Sequence, residues 1–395
     1  MDDKRRILST VSIYHAFNDG SVVLIPILFP ILKSLFNLSY TEIGIITGGG
    51  LLITLISQLI IGTVSDKKNR VYILTMGMVL ISATCLVFPL ANGFITLLLL
   101  MFLLRFSTSF FHPVGIAWVS KLFKKDNLDW AMGIQSAMGD FGAFVVILTI
   151  PFIAEIKNWT YTLYLWSIIG VICLFVSIFL IKNLKEEHFI NSNNNNKKQK
   201  FRKTVFEDWS TIEKTKLLLP AFIISGLAWG VIINYLPLLL AERTNLSIAF
   251  IGLFVSIWIG IGTVECLFYS RIISKFGRKK VIIISYITLG FASILLSFFT
   301  NLFLLLIIII ILGLSTFLTY PALFSFVSEL TDENIGGKTF GIIFTLELAG
   351  GTIILFLSGL ASDIWGIWTP FMILGVLSLI SIVPLLKIIV KTPSF

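Results

Sequence analysis

Apolar residues run along this chain in long blocks, and polar residues collect in the short gaps between them. A helix needs about 20 mostly apolar residues to cross the hydrocarbon core of a bilayer. Twelve stretches meet that requirement, at roughly 9–32, 41–64, 71–90, 94–119, 130–153, 161–182, 216–241, 249–270, 279–299, 302–327, 338–361 and 367–387. The gaps carry turn and charge signals, such as Asp66-Lys67-Lys68-Asn69-Arg70, Ala91-Asn92-Gly93 and Phe276-Gly277-Arg278-Lys279-Lys280. The pattern predicts an all-α membrane protein with twelve transmembrane helices. The first stretch follows a short basic segment, as in a signal peptide. It is too long for an h-region and no small-residue cleavage site follows it, so an uncleaved first helix is expected.

The longest gap, 183–215, holds Asn191-Ser192-Asn193-Asn194-Asn195-Asn196 followed by Lys197-Lys198-Gln199-Lys200. A polar, low-complexity, basic run of this kind cannot bury a core and reads as a tether. It divides the chain into a six-helix half at 1–182 and a second at 216–395. The two halves repeat each other at an offset of 208 residues. Asn37-Leu38-Ser39 recurs as Asn245-Leu246-Ser247, Lys67 and Arg70 as Lys275 and Arg278, Pro113 as Pro321, Gly133-Ile134 as Gly341-Ile342, and Gly142 as Gly350. Asn, Pro, Gly, Lys and Arg matches carry the argument, because Leu and Ile matches mean little in so apolar a chain. Six crossings return the chain to the same side, so the repeat is parallel and predicts two bundles related by a pseudo-two-fold axis along the membrane normal.

Composition agrees. Of 395 residues, 56% are hydrophobic and only 13% charged, against about 25% charged in a soluble chain. The net charge of +9 would suit nucleic-acid binding, but the basic residues sit between apolar runs, as in the basic cytoplasmic loops of a membrane protein. With both termini cytoplasmic, all of the 30 Lys and Arg except Lys33, Arg105, Lys157 and Arg243 fall on the cytoplasmic side. The expected location is the cell (inner) membrane, multi-pass. Cys85, Cys173 and Cys266 lie apart in apolar runs and form neither a metal pattern nor a disulfide framework.

The gap after the second stretch reads Gly62-Thr63-Val64-Ser65-Asp66-Lys67-Lys68-Asn69-Arg70. It resembles the major facilitator signature G-x-x-x-D-(R/K)-x-G-R, with Asn69 where the family usually has Gly; Asn tolerates left-handed backbone, so the turn is expected to survive. The second copy keeps Lys275, Gly277 and Arg278 but has Ser274 in place of the acid. The resemblance implies a cytoplasmic latch at Gly62, Asp66, Lys67, Arg70, Lys275, Gly277 and Arg278. A plain basic turn would need the same residues. Three further segments, Tyr14–Gly20, Ser107–Pro113 and Gln135–Gly142, resemble the fosmidomycin-resistance branch of drug efflux proteins in that superfamily. The resemblance implies alternating access, with helices 3, 6, 9 and 12 facing lipid and the others lining a cavity.

Ionisable residues inside membrane helices are costly and mark function by default. Away from helix ends there are seven: His15, Asp19, Arg105, His112, Asp140, Glu265 and Glu347. They fall on helices 1, 4, 5, 8 and 11. Asp19, Arg105 and Asp140 each lie about ten residues from a helix end, near the midplane by the 1.5 Å rise. His15 and Asp19 are i,i+4 and share a face, with Asn18 beside them; Arg105 and His112 are i,i+7. We expect Arg105 to balance Asp19, Asp140 or both, and the histidines to relay protons. A fixed ion pair holding helices 1, 4 and 5 together would use the same residues. None of the seven is shared between the repeats: Arg105 aligns with Gly313, His112 with Tyr320, Asp140 with Leu348, Glu265 with Ser57 and Glu347 with Gly139. One-sided ionic chemistry on a two-fold scaffold points to a proton or anion site in the first half.

No zinc motif, nucleophile elbow or P-loop occurs, so neither an enzyme nor an ATP-driven pump is expected. The sequence is read as a monomeric secondary transporter without cofactor or metal, whose partners are the bilayer, protons and a small molecule, not nucleic acid. Proton-coupled efflux of small drug-like or anionic compounds is the leading expectation, and proton-coupled uptake of an organic anion or metabolite is the alternative.

Overall fold

The computed structural model describes residues 2–65, 69–123, 125–182, 184, 216–266, 268–319, 321–323, 326 and 336–388. Twelve helices in it are long and apolar enough to cross a membrane. They are α1 (Asp3–Phe36), α2 (Tyr40–Ser65), α3 (Arg70–Leu90), α4 (Phe94–Leu122), α5 (Trp130–Ile156), α6 (Trp159–Ile181), α7 (Leu219–Arg243), α8 (Ile248–Cys266), α9 (Arg278–Leu296), α10 (Leu302–Leu323), α11 (Leu348–Trp365) and α12 (Thr369–Leu386). Among the described residues there is no strand. Asp66, Lys67 and the tether at 185–215 lie outside the described residues, as does the side chain of Glu347.

Helix ends follow local chemistry. Ser39 and Glu42 form a capping box at the start of α2: Glu42 N donates to Ser39 Oγ at 3.1 Å and Ser39 N to Glu42 Oε2 at 2.8 Å. Asn158 accepts from Tyr161 N at the start of α6, and Asn301 from Phe303 and Leu304 N at the start of α10. Asn69 could tolerate left-handed backbone at this turn. It is instead extended, with φ −65° and ψ 120°, and caps α3 by accepting from Val71 N at 2.9 Å. Its side-chain oxygen answers an orphan N–H that glycine could not.

Prolines shape the interiors. Pro26 and Pro30 interrupt α1 with a 3₁₀ turn at Pro26–Leu28, since neither can donate to the helical ladder. The span α4 is two pieces, Phe94–Thr108 and Phe111–Leu122. Pro113 has no N–H for the Ser109 carbonyl four residues back, and the chain steps out of α-helix at Ser109-Phe110.

The chain forms two compact units. The first contains α1 to α6 together with Asn245–Ser256; the second contains α7, the rest of α8 from Ile257, and α9 to α12. In the first unit Trp166 Nε1 donates to Ser21 Oγ at 2.8 Å, and its ring stacks on Phe17. Ser167 donates to the Ser82 carbonyl at 2.8 Å, joining α6 to α3. Arg6 donates to the Leu180 and Lys182 carbonyls, both at 2.8 Å, so the start of α1 closes the end of α6. In the second unit Lys279 does the same for α12, donating to the Leu386 and Ile388 carbonyls at 3.1 and 2.7 Å. There Tyr286 donates to the Ala221 carbonyl at 2.6 Å and Tyr235 to the Leu355 carbonyl at 2.9 Å, tying α9 and α11 to α7. Large apolar side chains such as Phe175, Phe179 and Phe303 stay exposed, as expected where the solvent is lipid.

Candidate functional site

The first unit gathers polar side chains from α1, α4 and α5. His15 and Asp19 stand one turn apart on α1, and His15 Nε2 is 3.0 Å from Asp19 Oδ2. Across from them His112, near the start of the second piece of α4, puts Nε2 3.5 Å from Asp19 Oδ1. Asn18 Nδ2 donates to Asp19 Oδ1 at 3.0 Å. The carboxylate is therefore held from three directions.

His15 is oriented from behind. Its Nδ1 lies 2.6 Å from the backbone carbonyl of Gln135 on α5. A carbonyl only accepts, so Nδ1 carries the proton and donates it there. Nε2 then faces the Asp19 carboxylate, and a second proton on the ring makes the pair ionic. The ring stacks on Phe111 at 4.4 Å and meets His112 edge-on at 5.3 Å. Space for the contact comes from Gly139 on α5: a Cβ there would sit 2.7 Å from both Asp19 Oδ2 and His15 Nε2.

The cluster is graded from buried to open. His15 is buried, while the side chains of Asp19 and His112 are 22% and 38% exposed. One ligand atom from each of the three lies within 4.8 Å of the others, close enough for a small cation or proton to be shared. Asp140, next to Gly139, is half-buried; it makes no ion pair within 4.0 Å among the described residues but lies within electrostatic reach of Asp19 and His15.

Arg105 departs from expectation. It does not pair with Asp19 or Asp140: no carboxylate among the described residues lies within 4.0 Å of it, and its Nε is buried without a hydrogen-bond partner. The two imidazoles take the place at Asp19 that the sequence assigned to Arg105. The span is interrupted between the two residues at Ser109-Phe110, with Arg105 on the first helical piece and His112 on the second. Arg105 instead lays its stem over α2, where a Cβ on Gly50 would meet Cγ at 3.0 Å.

The remaining candidates lie apart from this cluster. Glu265 belongs to α8, and its Oε2 is buried with no hydrogen-bond partner among the described residues. In the loop motif, Arg70 is buried at the start of α3 and Gly62 half-buried; Lys275 and Gly277 are exposed, Gly277 with φ 76°, and Arg278 opens α9. The sequence did not single out the Gln135 carbonyl, the Phe111 ring, or the space at Gly139 and Gly50 as parts of the site. Backbone carbonyls and missing side chains leave no signature of their own in a hydropathy pattern.

The sequence profile of the Major Facilitator Superfamily matches residues 11–273 and 218–394. The chain is 29% identical over 175 residues to an uncharacterised MFS-type transporter, YfnC, of Bacillus subtilis (strain 168), covering 39% of this chain and 43% of that protein. It is 30% identical over 137 residues to the fosmidomycin resistance protein of Escherichia coli (strain K12), covering 35% of this chain and 34% of that protein. The matched stretches thus span less than half of either relative. A mutant of the nucleoside transporter NupG superposes with a TM-score of 0.81 at 12% identity, over 98% of this chain and 99% of that one. A POT family transporter in complex with a thioalcohol-conjugated peptide superposes at 0.79 and 14% identity, over 96% and 95%. At such identities the likeness is one of fold.

Proposed function

The chain belongs to the major facilitator superfamily of membrane transporters, and from that premise we propose that it couples proton movement to the efflux of small drug-like or anionic compounds by alternating access. The observation that carries the reading is the His15–Asp19–His112 cluster, three titratable groups from two helices held within hydrogen-bonding and ion-pairing range at membrane depth. Groups so placed hold a proton among them, and the exposed edge of His112 gives it a way in and out. Gln135 and Asn18 keep the ring and carboxylate aligned, as the partners of a proton-carrying group must. Asp140 adds a second acid within electrostatic reach. Glu265 and Glu347 are further candidates in the second unit. Partial similarity to a fosmidomycin resistance protein supports export.

A second reading, uptake by proton symport of an organic anion, is favoured by the unpaired Arg105. Seven residues on α4 separate it from His112, about 10 Å along a helix. An anion at one and a proton at the other attract by about 1.5 kcal/mol at an effective dielectric near 20, which favours joint rather than alternate occupancy. The distribution of Lys and Arg supports a reading with both termini on the cytoplasmic side of the cell membrane, and with the Gly62–Arg70 and Lys275–Arg278 motifs acting as a cytoplasmic latch in a monomer.

Inverted vesicles test the direction. Substrate accumulation that needs an inward-acid gradient and collapses with an uncoupler is expected for export. Accumulation only in right-side-out vesicles selects uptake, and flux indifferent to the proton gradient in both removes proton coupling.

A further inference from the structure

Arg105 is an intramembrane cation of the first unit that the proton cluster leaves unused. The residue is 7% exposed, and among the described residues its Nε has no hydrogen-bond partner and no carboxylate comes within 4.0 Å. Asp19 is engaged by His15, His112 and Asn18, and Asp140 makes no ion pair with it. The local backbone is satisfied without the guanidinium. The break in α4 frees the Arg105 carbonyl from the helical ladder, and the hydroxyls of Ser109 and Thr108 donate to it at 2.6 and 3.1 Å. A guanidinium kept merely to fasten helices would spend its donors on a neighbouring carbonyl or carboxylate.

We infer that Arg105 is the anchor for an oxyanion group on the transported compound, a carboxylate or a phosphate-type group. The inference rests on the transporter reading and deepens it by naming the charge the substrate carries. A buried, unpaired cation in a membrane helix is costly, and this one cannot discharge itself by losing a proton. An anion arriving from water removes that cost. The planar fork of guanidinium N–H groups matches two oxygens of a carboxylate or phosphate, which an ammonium does only as a point charge. Gly50 belongs to the same device. With no side chain on α2 at that position the Arg105 stem lies against the helix; a Cβ there would stand 3.0 Å from its Cγ and 3.6 Å from its Nε. Arg105 aligns with Gly313 in the repeat, so the anchor is a feature of the first half alone.

The test uses the full chain in a neutral detergent and matched probes: benzoate against benzamide, and phenylphosphonate against its dimethyl ester, at constant ionic strength. Binding is read from thermal stabilisation and, as a direct measure, calorimetry. At least one anion is expected to bind ten or more times tighter than its neutral partner. Arg105→Gln is expected to erase that preference and Arg105→Lys to weaken it. Gly50→Ala, which keeps the charge but displaces the stem, lowers anion affinity several-fold and covers the case in which Arg105→Gln does not fold. Equal binding of neutral and charged partners, no binding of either anion, or full anion binding by Arg105→Gln overturns the assignment. None of these outcomes depends on flux, so failure here is separable from failure of proton-coupled transport in vesicles.

Discussion

Replacing Gly139 by Ala examines the proton cluster without touching a titratable group, and Gly133 on the same helix supplies the control. In a helix, Ala gains about 0.5–1 kcal/mol over Gly. At Gly133 a Cβ would meet nothing within 4 Å, so Gly133→Ala keeps that gain and melts at or slightly above the wild-type temperature. At Gly139 the same carbon would stand 2.7 Å from Asp19 Oδ2 and 2.7 Å from His15 Nε2, well inside contact distance. Neither neighbour yields freely, since His15 is held by the Gln135 carbonyl and by Phe111, and Asp19 by Asn18 and His112. Overpacking of this sort costs about 1–3 kcal/mol. The helix-propensity gain cancels between the two variants, so their difference isolates that clash. The assay is paired: melting of the solubilised protein, and proton-driven flux in proteoliposomes. Gly139→Ala is expected to melt below Gly133→Ala and to lose most coupled flux while still inserting in the membrane. Equal melting and equal flux in the two variants would refute the claim that the vacancy at Gly139 is what lets His15 meet Asp19.

Asp19→Asn keeps the shape and removes the charge that both imidazoles face, and proton-driven flux is expected to fall at least tenfold, with substrate-exchange flux less affected; unchanged driven flux counts against the cluster. Trp166→Phe loses the hydrogen bond to Ser21, which still donates to the Phe17 carbonyl, and is expected to cost about 1 kcal/mol in unfolding measurements without changing transport. Ser39→Ala breaks the capping box of α2 and is expected to cost about 1 kcal/mol by the same measurement.

Much of this protein is legible from the order of its residues. Span number follows from apolar run length, because a bilayer of fixed thickness accepts only helices long enough to cross it. The cost of burying charge singled out the seven ionisable positions. The spacing of His15 and Asp19 on one face needed no neighbour, since both lie on one uninterrupted helix. Partnership between helices was beyond that reach. Periodicity fixes which residues share a face but not how each helix is turned against the next. Pro113 in addition splits α4 at Ser109-Phe110, between Arg105 and His112. Packing then brought His112 to Asp19, left Arg105 against Gly50 without a counter-ion among the described residues, and turned the Gln135 carbonyl toward His15. These three outcomes depend on distances between helices, which tertiary structure alone sets.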